Sequence, residues 1–331
     1  MTGQGGGMPL TVPPPIEARP AVLPPMLAVL AHFGPADRSE KAVAALRASG
    51  YPGLRILVVD NSDGQISEAL DASRLGEGVE LELMGHNAGY CAAVNRGLAR
   101  ASELELPLLA LVNTDLLPRA GCLEALVDAL LSDERRVGAG PLIVSGDGQH
   151  VWCAGAKLRF GPNVSVLCAH GRSRERAPKT PALVDYLPGA LAVYRTAALR
   201  AVGGVEEEFF MYGEDVDLGL RLRLAGGQLL YVPWAEAVHD ATASSGGGVS
   251  PLRKFLNAVN TPRLLRRIAS PRLWLAFVVF DLLGLLPSML LHLHRPRRLR
   301  AQWAKARGVL LGLGGYRPSA RDVEEYLGRR P

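Results

Sequence analysis

Cysteine is scarce and scattered. The four residues, Cys91, Cys122, Cys153 and Cys168, form no CxxC pair. That spacing excludes the usual structural zinc sites and a disulfide framework, and favours a reducing compartment. A secretory leader is also missing. Residues 1–25 are rich in Gly and Pro ("GQGGGMPLTVPPP"), with neither a basic n-region nor a continuous apolar h-region, and read as a disordered arm. There is no internal repeat. "SGDGQ" (145–149) lacks the alternating acids of a calcium loop, and the glycines of "GVLLGLGGYRP" (308–318) have no following helix that fits a dinucleotide fold.

The 331 residues are 48% apolar and 21% charged, enough for a sizeable core in one large or two ordinary domains. A net charge of +5 hides a split. Residues 251–331 carry 16 Lys/Arg against 4 Asp/Glu, whereas residues 1–250 carry 21 against 28. An acidic body with a basic end suits a protein whose tail faces something anionic.

Within the body, strand-like and helix-like runs alternate. "MLAVLAHF" (26–33), "LRILVVDNS" (54–62), "VELELMG" (79–85) and "LPLLALVNTD" (106–115) have strand character. "RSEKAVAALRAS" (38–49), "AAVNRGLARA" (92–101) and "CLEALVDALLS" (122–132) have helical spacing. The alternation predicts an α/β protein with a doubly wound, mostly parallel sheet, whose ligands sit at the carboxyl ends of strands. Residues 137–184 are less regular, and "HGRSRERAPKTP" (170–181) reads as a mobile polar loop. "LPGALAVYRTAALRAVGG" (187–204) predicts strand, helix and Gly stop, and "QLLYVPWAEAVHD" (228–240) a strand leaving into a loop. "SSGGG" (244–248) marks a boundary, giving an arm (1–25), a body (26–250) and a helical extension (251–331).

Several places carry chemistry. In "ALVNTDLLP" an acid follows a buried strand. Asp115 is either a turn former or a ligand for a hard cation, with Asn113 its neutral companion. Mg²⁺ and Mn²⁺ take oxygen donors from one or two carboxylates plus substrate phosphates. In "HNAGYCAAVNRG" (86–97), Asn87 and Asn95 offer paired donors and acceptors, and Gly89 allows close backbone approach to a ligand. The alternative is a helix cap at Asn87 and ordinary packing. In "GEDVDLGLRLRLAGG" (213–227), Glu214, Asp215 and Asp217 open a helix. The helix dipole favours acids there by about 0.3–1 kcal/mol, and Asp217 can pair with Arg221 one turn on. A third adjacent acid is less well explained so, which makes Asp215 a candidate base for a substrate hydroxyl. His239 could complete a metal site through a neutral imidazole.

Taken in order, "LVVDNS", "HNAGYCAAVNRG", "LVNTD", "LPGALAVYRTAAL", "FFMYGEDVDLGLRLRLAGG" and "EAVHD" resemble family 2 glycosyltransferases of the GT-A fold, and among them a bacterial rhamnosyltransferase-like branch. The resemblance runs over about Met26 to Ser245. It implies that Asp60 contacts the nucleotide base and that Asn87, Gly89 and Asn95 form the next nucleotide-contacting segment. "NTD" stands where the family has its metal motif, with Asp115 as the last acid and Asn113 in place of the first. Asp215 matches the second acid of an "ED" pair and would be the catalytic base. Glu214 would orient the helix start beside the substrate, and His239 would join Asp115 on Mg²⁺ or Mn²⁺. The implied reaction is a single inverting displacement. The donor would be a nucleotide-diphosphate sugar, deoxythymidine-diphosphate rhamnose first, and the acceptor a cell-surface or lipid-linked glycan.

The tail segment "LWLAFVVFDLLGLLPSMLLHLH" (273–294) is long enough to span a bilayer, but Asp281 and Pro287 interrupt it and arginines flank both ends. Three readings stand: lying on an anionic membrane surface, packing on the body or in a homodimer, and spanning. Basic flanks favour the first, with the protein cytoplasmic and peripheral on the inner face of the cell membrane. The arginines belong to no known nucleic-acid-binding module, so nucleic acid is not an expected partner. In "NAVNTPRLLRRI" (257–268), which looks like the segment that follows the catalytic domain in this branch, Arg263 is a candidate for a substrate phosphate. Two rival functions fit less of the sequence. A sugar-nucleotidyltransferase would need a basic Gly-rich signature by the first strand, where "LAVLAHFGPADRSE" (27–40) has no Lys or Arg before Arg38. An inactive membrane-bound binding module is suggested only by Asn113.

Overall fold

The computed structural model describes residues 22–64, 66–240 and 250–328. Most of the expected arm and the SSGGG boundary fall outside the described residues. The first half of the body contains β1 (Met26–His32), α1 (Ala36–Ala48), β2 (Leu54–Asp60), α2 (Ala72–Leu75), β3 (Val79–Leu83), α3 (Tyr90–Glu103), β4 (Leu108–Val112), β5 (Leu116–Pro118) and α4 (Cys122–Leu131). The second half adds β6 (Arg136–Ser145), β7 (Val151–Cys153), β8 (Ala156–Leu158), β9 (Ser165–Leu167), β10 (Ala182–Leu183), β11 (Leu191–Arg195), α5 (Thr196–Ala201), α6 (Glu214–Leu224) and β12 (Gln228–His239).

The apolar runs become strands because both sheet faces are covered. On one face α1 and α4 pack Val43, Leu46, Leu123 and Leu126 against the sheet. On the other, α3 and α6 contribute Val94, Leu98, Val216 and Leu222. Strands buried on both sides carry continuous rather than alternating apolar sequence, as β4 does.

The sheet order is β10-β12-β6-β11-β4-β1-β2-β3. β1 runs parallel to β2 and β4, and β2 to β3. β11 enters antiparallel between β4 and β6, so β6, and β12 parallel to it, point the same way as the first four strands. The carboxyl ends of β2, β4, β6 and β12 therefore share one edge, and so does the start of β11. The mostly parallel sheet matches the expectation.

Three local expectations are corrected. The region read as irregular contains β6, a ten-residue strand inside the sheet. Its signal is diluted by Gly138 and Gly140, which are small because Tyr194 and Leu187 fill the space a β-carbon would need. His239 is the last residue of β12, held in register with Leu116 of β5, and not in a loop. Within the polar 170–181 segment, the backbone N–H of Arg174 donates to the Gln149 carbonyl and its guanidinium to Glu236. Charge pairing that periodicity cannot show docks it on the body.

The extension comprises α7 (Pro251–Ile268), α8 (Pro271–Phe277), a π-helical turn (278–283), α9 (Leu285–Leu291), α10 (Pro296–Leu313) and α11 (Ala320–Leu327). The glycines at 308 and 312 are explained by packing. A β-carbon on either would collide with the carbonyl of Phe255 or Val259, so α10 lies directly on the backbone of α7.

Candidate active site

The site grows from the shared strand edge. β4 ends at Val112, and the Asn113 N–H donates to the Ala190 carbonyl just before β11. The chain then turns into β5, whose antiparallel pairing with the end of β12 brings Asp115 beside His239 and Asp240. The Asp240 N–H donates to the Asp115 carbonyl at 2.8 Å. Nε2 of His239 lies 3.8 Å from Oδ1 of Asp115, an ion-pair rather than hydrogen-bond separation. The imidazole is buried and stacked on Trp152, with ring centroids 4.3 Å apart. Burial lowers its pKa, with Asp115 opposing in part, so the ring is held neutral. Its Nδ1 has no hydrogen-bond partner among the described residues.

The start of α6 is joined to the end of β4 through Gly189 and Ala190. Gly213 adopts a left-handed conformation and turns the chain into the helix. Asp215 accepts from the Gly189 N–H at 3.4 Å and from the Val216 N–H at 2.8 Å. Glu214 is buried, and its Oε2 has no partner among the described residues. Desolvation, then the charge of Asp215, pushes Glu214 up to about 8. Desolvation also raises Asp215, to about 6, against the pull of its backbone donors. Burial and mutual repulsion thus favour a proton shared by the adjacent Glu214–Asp215 pair over two full charges. Asp217 is fully buried and bonded by Arg221 and Arg267. Of the three clustered acids, Glu214 is buried, Asp217 is buried and neutralised by two arginines, and Asp215 alone is partly open to solvent.

Gly189 and Ala190 join the two halves. Gly189 donates to Asp215 and accepts from the Tyr90 hydroxyl at 2.8 Å, while Ala190 accepts from Asn113.

The remaining expected residues are placed less directly. Asp60 is buried, and its oxygens accept from the N–H groups of Ser62 and Leu70, closing its own loop. Asn61, which follows the last residue of β2, ties this loop to Ala88 and Gly89. Asn87 accepts from the Gly89 N–H in a local turn. Gly89 does permit a close approach, but by a ring: a β-carbon would lie 2.5 Å from Cδ2 of Phe210. Asn95 bonds both backbone groups of Val205 and the Glu207 carboxylate. These contacts make it a tether for the loop leading to α6.

Sequence reasoning missed three supports. Tyr90 lies in the HNAGYCAAVNRG motif and Trp152 in the less regular 137–184 stretch, and neither stands out there. Asn260 was passed over for its neighbour Arg263. Phe210 and Tyr212 have positive φ, strained for residues with a β-carbon. Asn260, on α7, donates from its amide to the carbonyls of Phe209, Met211 and Tyr212 at 2.8–3.0 Å. Its own oxygen accepts from Arg263, which also bonds the Tyr316 carbonyl. Arg263 is thus engaged inside the protein and not turned toward a substrate phosphate. The extension grips the loop that presents Asp215.

Residues 109–295 match the family described as "Glycosyl transferase family group 2". The chain is 31% identical over 245 residues to N-acetylglucosaminyl-diphospho-decaprenol L-rhamnosyltransferase of Mycobacterium tuberculosis, covering 67% of this chain and 77% of that protein. Among solved structures it is similar to GalNAc-T7 bound to UDP, GalNAc and Mn²⁺, with a TM-score of 0.56 and 12% identity. That match covers 94% of this chain and 59% of the other. It is also similar to the mannosyltransferase PcManGT from Pyrobaculum calidifontis bound to GDP-Man and Mn²⁺, with a TM-score of 0.52 and 14% identity, covering 90% and 91%. At such identities these structures speak for the fold alone, which is of the GT-A type. With its sheet order, the Asp115–His239 pair at the strand edge and above all the family match and the rhamnosyltransferase relative, the chain belongs to the family 2 glycosyltransferases.

Proposed function

We propose that the chain is an inverting glycosyltransferase that moves L-rhamnose from a nucleotide-diphosphate donor to a lipid-linked glycan precursor at the inner face of a membrane. The rhamnosyltransferase relative supports the sugar and a diphospho-lipid acceptor. The observation that carries the reading is Asp215, fixed by two backbone donors, one of them Gly189, whose neighbour Ala190 accepts from Asn113 two residues before Asp115.

Asp215 takes the proton of the acceptor hydroxyl as that oxygen bonds to the anomeric carbon from the face opposite the leaving group. The bond between the anomeric carbon and the diphosphate oxygen breaks, and its electron pair leaves with the nucleotide diphosphate. Configuration inverts, with no sugar–enzyme bond. Glu214, buried and sharing the pair's proton, keeps a second negative charge away from the developing oxyanion. Asp115 and the neutral imidazole of His239 suit a hard divalent cation, because two protein donors leave coordination positions for diphosphate oxygens. Bound there, Mg²⁺ or Mn²⁺ would neutralise charge on the departing diphosphate. Asp60, Asn61 and Asn87 would shape the nucleotide side by bracing the turn at Gly89.

Thermal shift against a panel of nucleotide-diphosphate sugars, with and without chelator, should identify the donor. Asp215→Asn should lower turnover by roughly a hundred- to ten-thousand-fold while donor binding persists. A fully active Asn variant, or a product with retained configuration, would defeat the reading.

A further inference from the structure

The helix formed by α8, the π turn and α9 has two unlike faces. Its inner face is docked on the protein. Leu273 and Phe277 pack with Ala258 and Leu265 of α7 and Val309 of α10, and Asp281 pairs with Lys305 of α10 at 2.5 Å. Among the described residues nothing covers the outer face. Leu275, Val279, Leu283, Leu286 and Leu290 follow one another at intervals of three or four and are 38–68% exposed. Spacing of that kind places them along one side of the helix. A run of exposed leucines this long is costly in water.

Charge surrounds the stripe. Arg272 precedes it and Arg295, Arg297, Arg298 and Arg300 follow, all exposed. None of the five makes an ion pair among the described residues, although Arg263, Arg267, Lys305, Arg307 and Arg317 of the same extension all do. Arg253, Lys254, Arg266 and Arg321 also make no ion pair among the described residues, but the five above stand at the two ends of the uncovered face.

We propose that this face, with its arginines, lies flat on an anionic lipid membrane. The inference deepens the reading above, in which the acceptor is lipid-linked. Spanning is disfavoured because the helix would have to leave Leu265 and Val309 and break the Asp281–Lys305 pair. A second copy of the chain is a poorer occupant. Cations stand at both ends of the stripe, so parallel or antiparallel self-pairing sets them against their own kind. Anionic headgroups satisfy the arginines while the leucines enter the acyl boundary. Phe280 of the π turn packs edge-on against Phe160 of the loop between β8 and β9. The adjoining Leu158 N–H is bonded by Asp185, close in sequence to Gly189. Docking would thus set the Asp215 side of the body at a fixed orientation to the lipid surface.

Co-sedimentation of the full chain with vesicles tests this. Vesicles of phosphatidylcholine with about one third phosphatidylglycerol should bind it, and pure phosphatidylcholine should bind at least about tenfold less. The double variants Leu283→Glu/Leu286→Glu and Arg297→Glu/Arg298→Glu should each lose about tenfold or more on the anionic vesicles. Bound wild type should be released by alkaline carbonate. Nucleotide-sugar hydrolysis in lipid-free solution should be unchanged in both variants, which also verifies their folding. Loss of hydrolysis in every protein with vesicle binding intact would sink the catalytic reading and leave the docking face standing. The docking proposal is overturned by equal binding to neutral vesicles, by variants that bind like wild type, or by resistance to carbonate. A wild-type dimer that Leu283→Glu/Leu286→Glu dissolves would assign the face to a second copy instead.

Discussion

At the scale of single residues, position within the α6 turn decides what each acid does. Asp215 is raised by desolvation to about 6, and a base works only once its proton is gone. The rate kcat/KM should therefore fall as pH drops through about 6 and level off above it. A profile with no acidic limb near that value would separate Asp215 from the proton transfer. Asn260 makes the second residue-scale case. Asn260→Asp keeps size and shape but turns a donor of three hydrogen bonds into an acceptor facing three carbonyls. Leaving such groups unsatisfied costs roughly 1–3 kcal/mol each. The variant should melt earlier and lose kcat more than donor affinity, since Asp115 and His239 are held by other strands. Equal losses in kcat and donor affinity would reduce Asn260 to a general scaffold role.

At the scale of elements, the strand–helix alternation was legible because apolar runs and Gly stops repeat along the first 131 residues of the chain. β6 was not, since packing against Tyr194 and Leu187 demands glycines that erase its pattern. The acids of the site could be picked out individually. Their neighbours could not: Asp115 meets His239 only through the β5–β12 pairing, and Trp152 reaches the same imidazole from β7. Asn95 misled for a related reason, because the loop it holds lies more than a hundred residues away in the chain. The α7–α10 contact carries its own test. Gly312→Val places a branched side chain against the Val259 carbonyl and should destabilise by about 1–3 kcal/mol or more. A melting temperature equal to wild type would show that these helices can part without loss.

For the whole molecule, the line between body and extension is less sharp than composition suggests. The charge split near residue 250 is real, yet α7 completes the loop before α6, and Arg267 reaches back to Asp217 and Glu206. Truncation after residue 250 should therefore abolish transfer even when donor and acceptor are both water-soluble. An active truncated chain would show that the tail serves only for attachment.

Gly189 has a further consequence. Its carbonyl and amide connect two different helices, and the space over its α-carbon is taken by the Tyr90 hydroxyl, 2.9 Å from where a methyl would sit. Whatever changes accumulate in the surrounding loops to suit another sugar, this dipeptide cannot drift with them. Recognition is free to diversify only in segments that hang outside it, around an axle that has to stay bare.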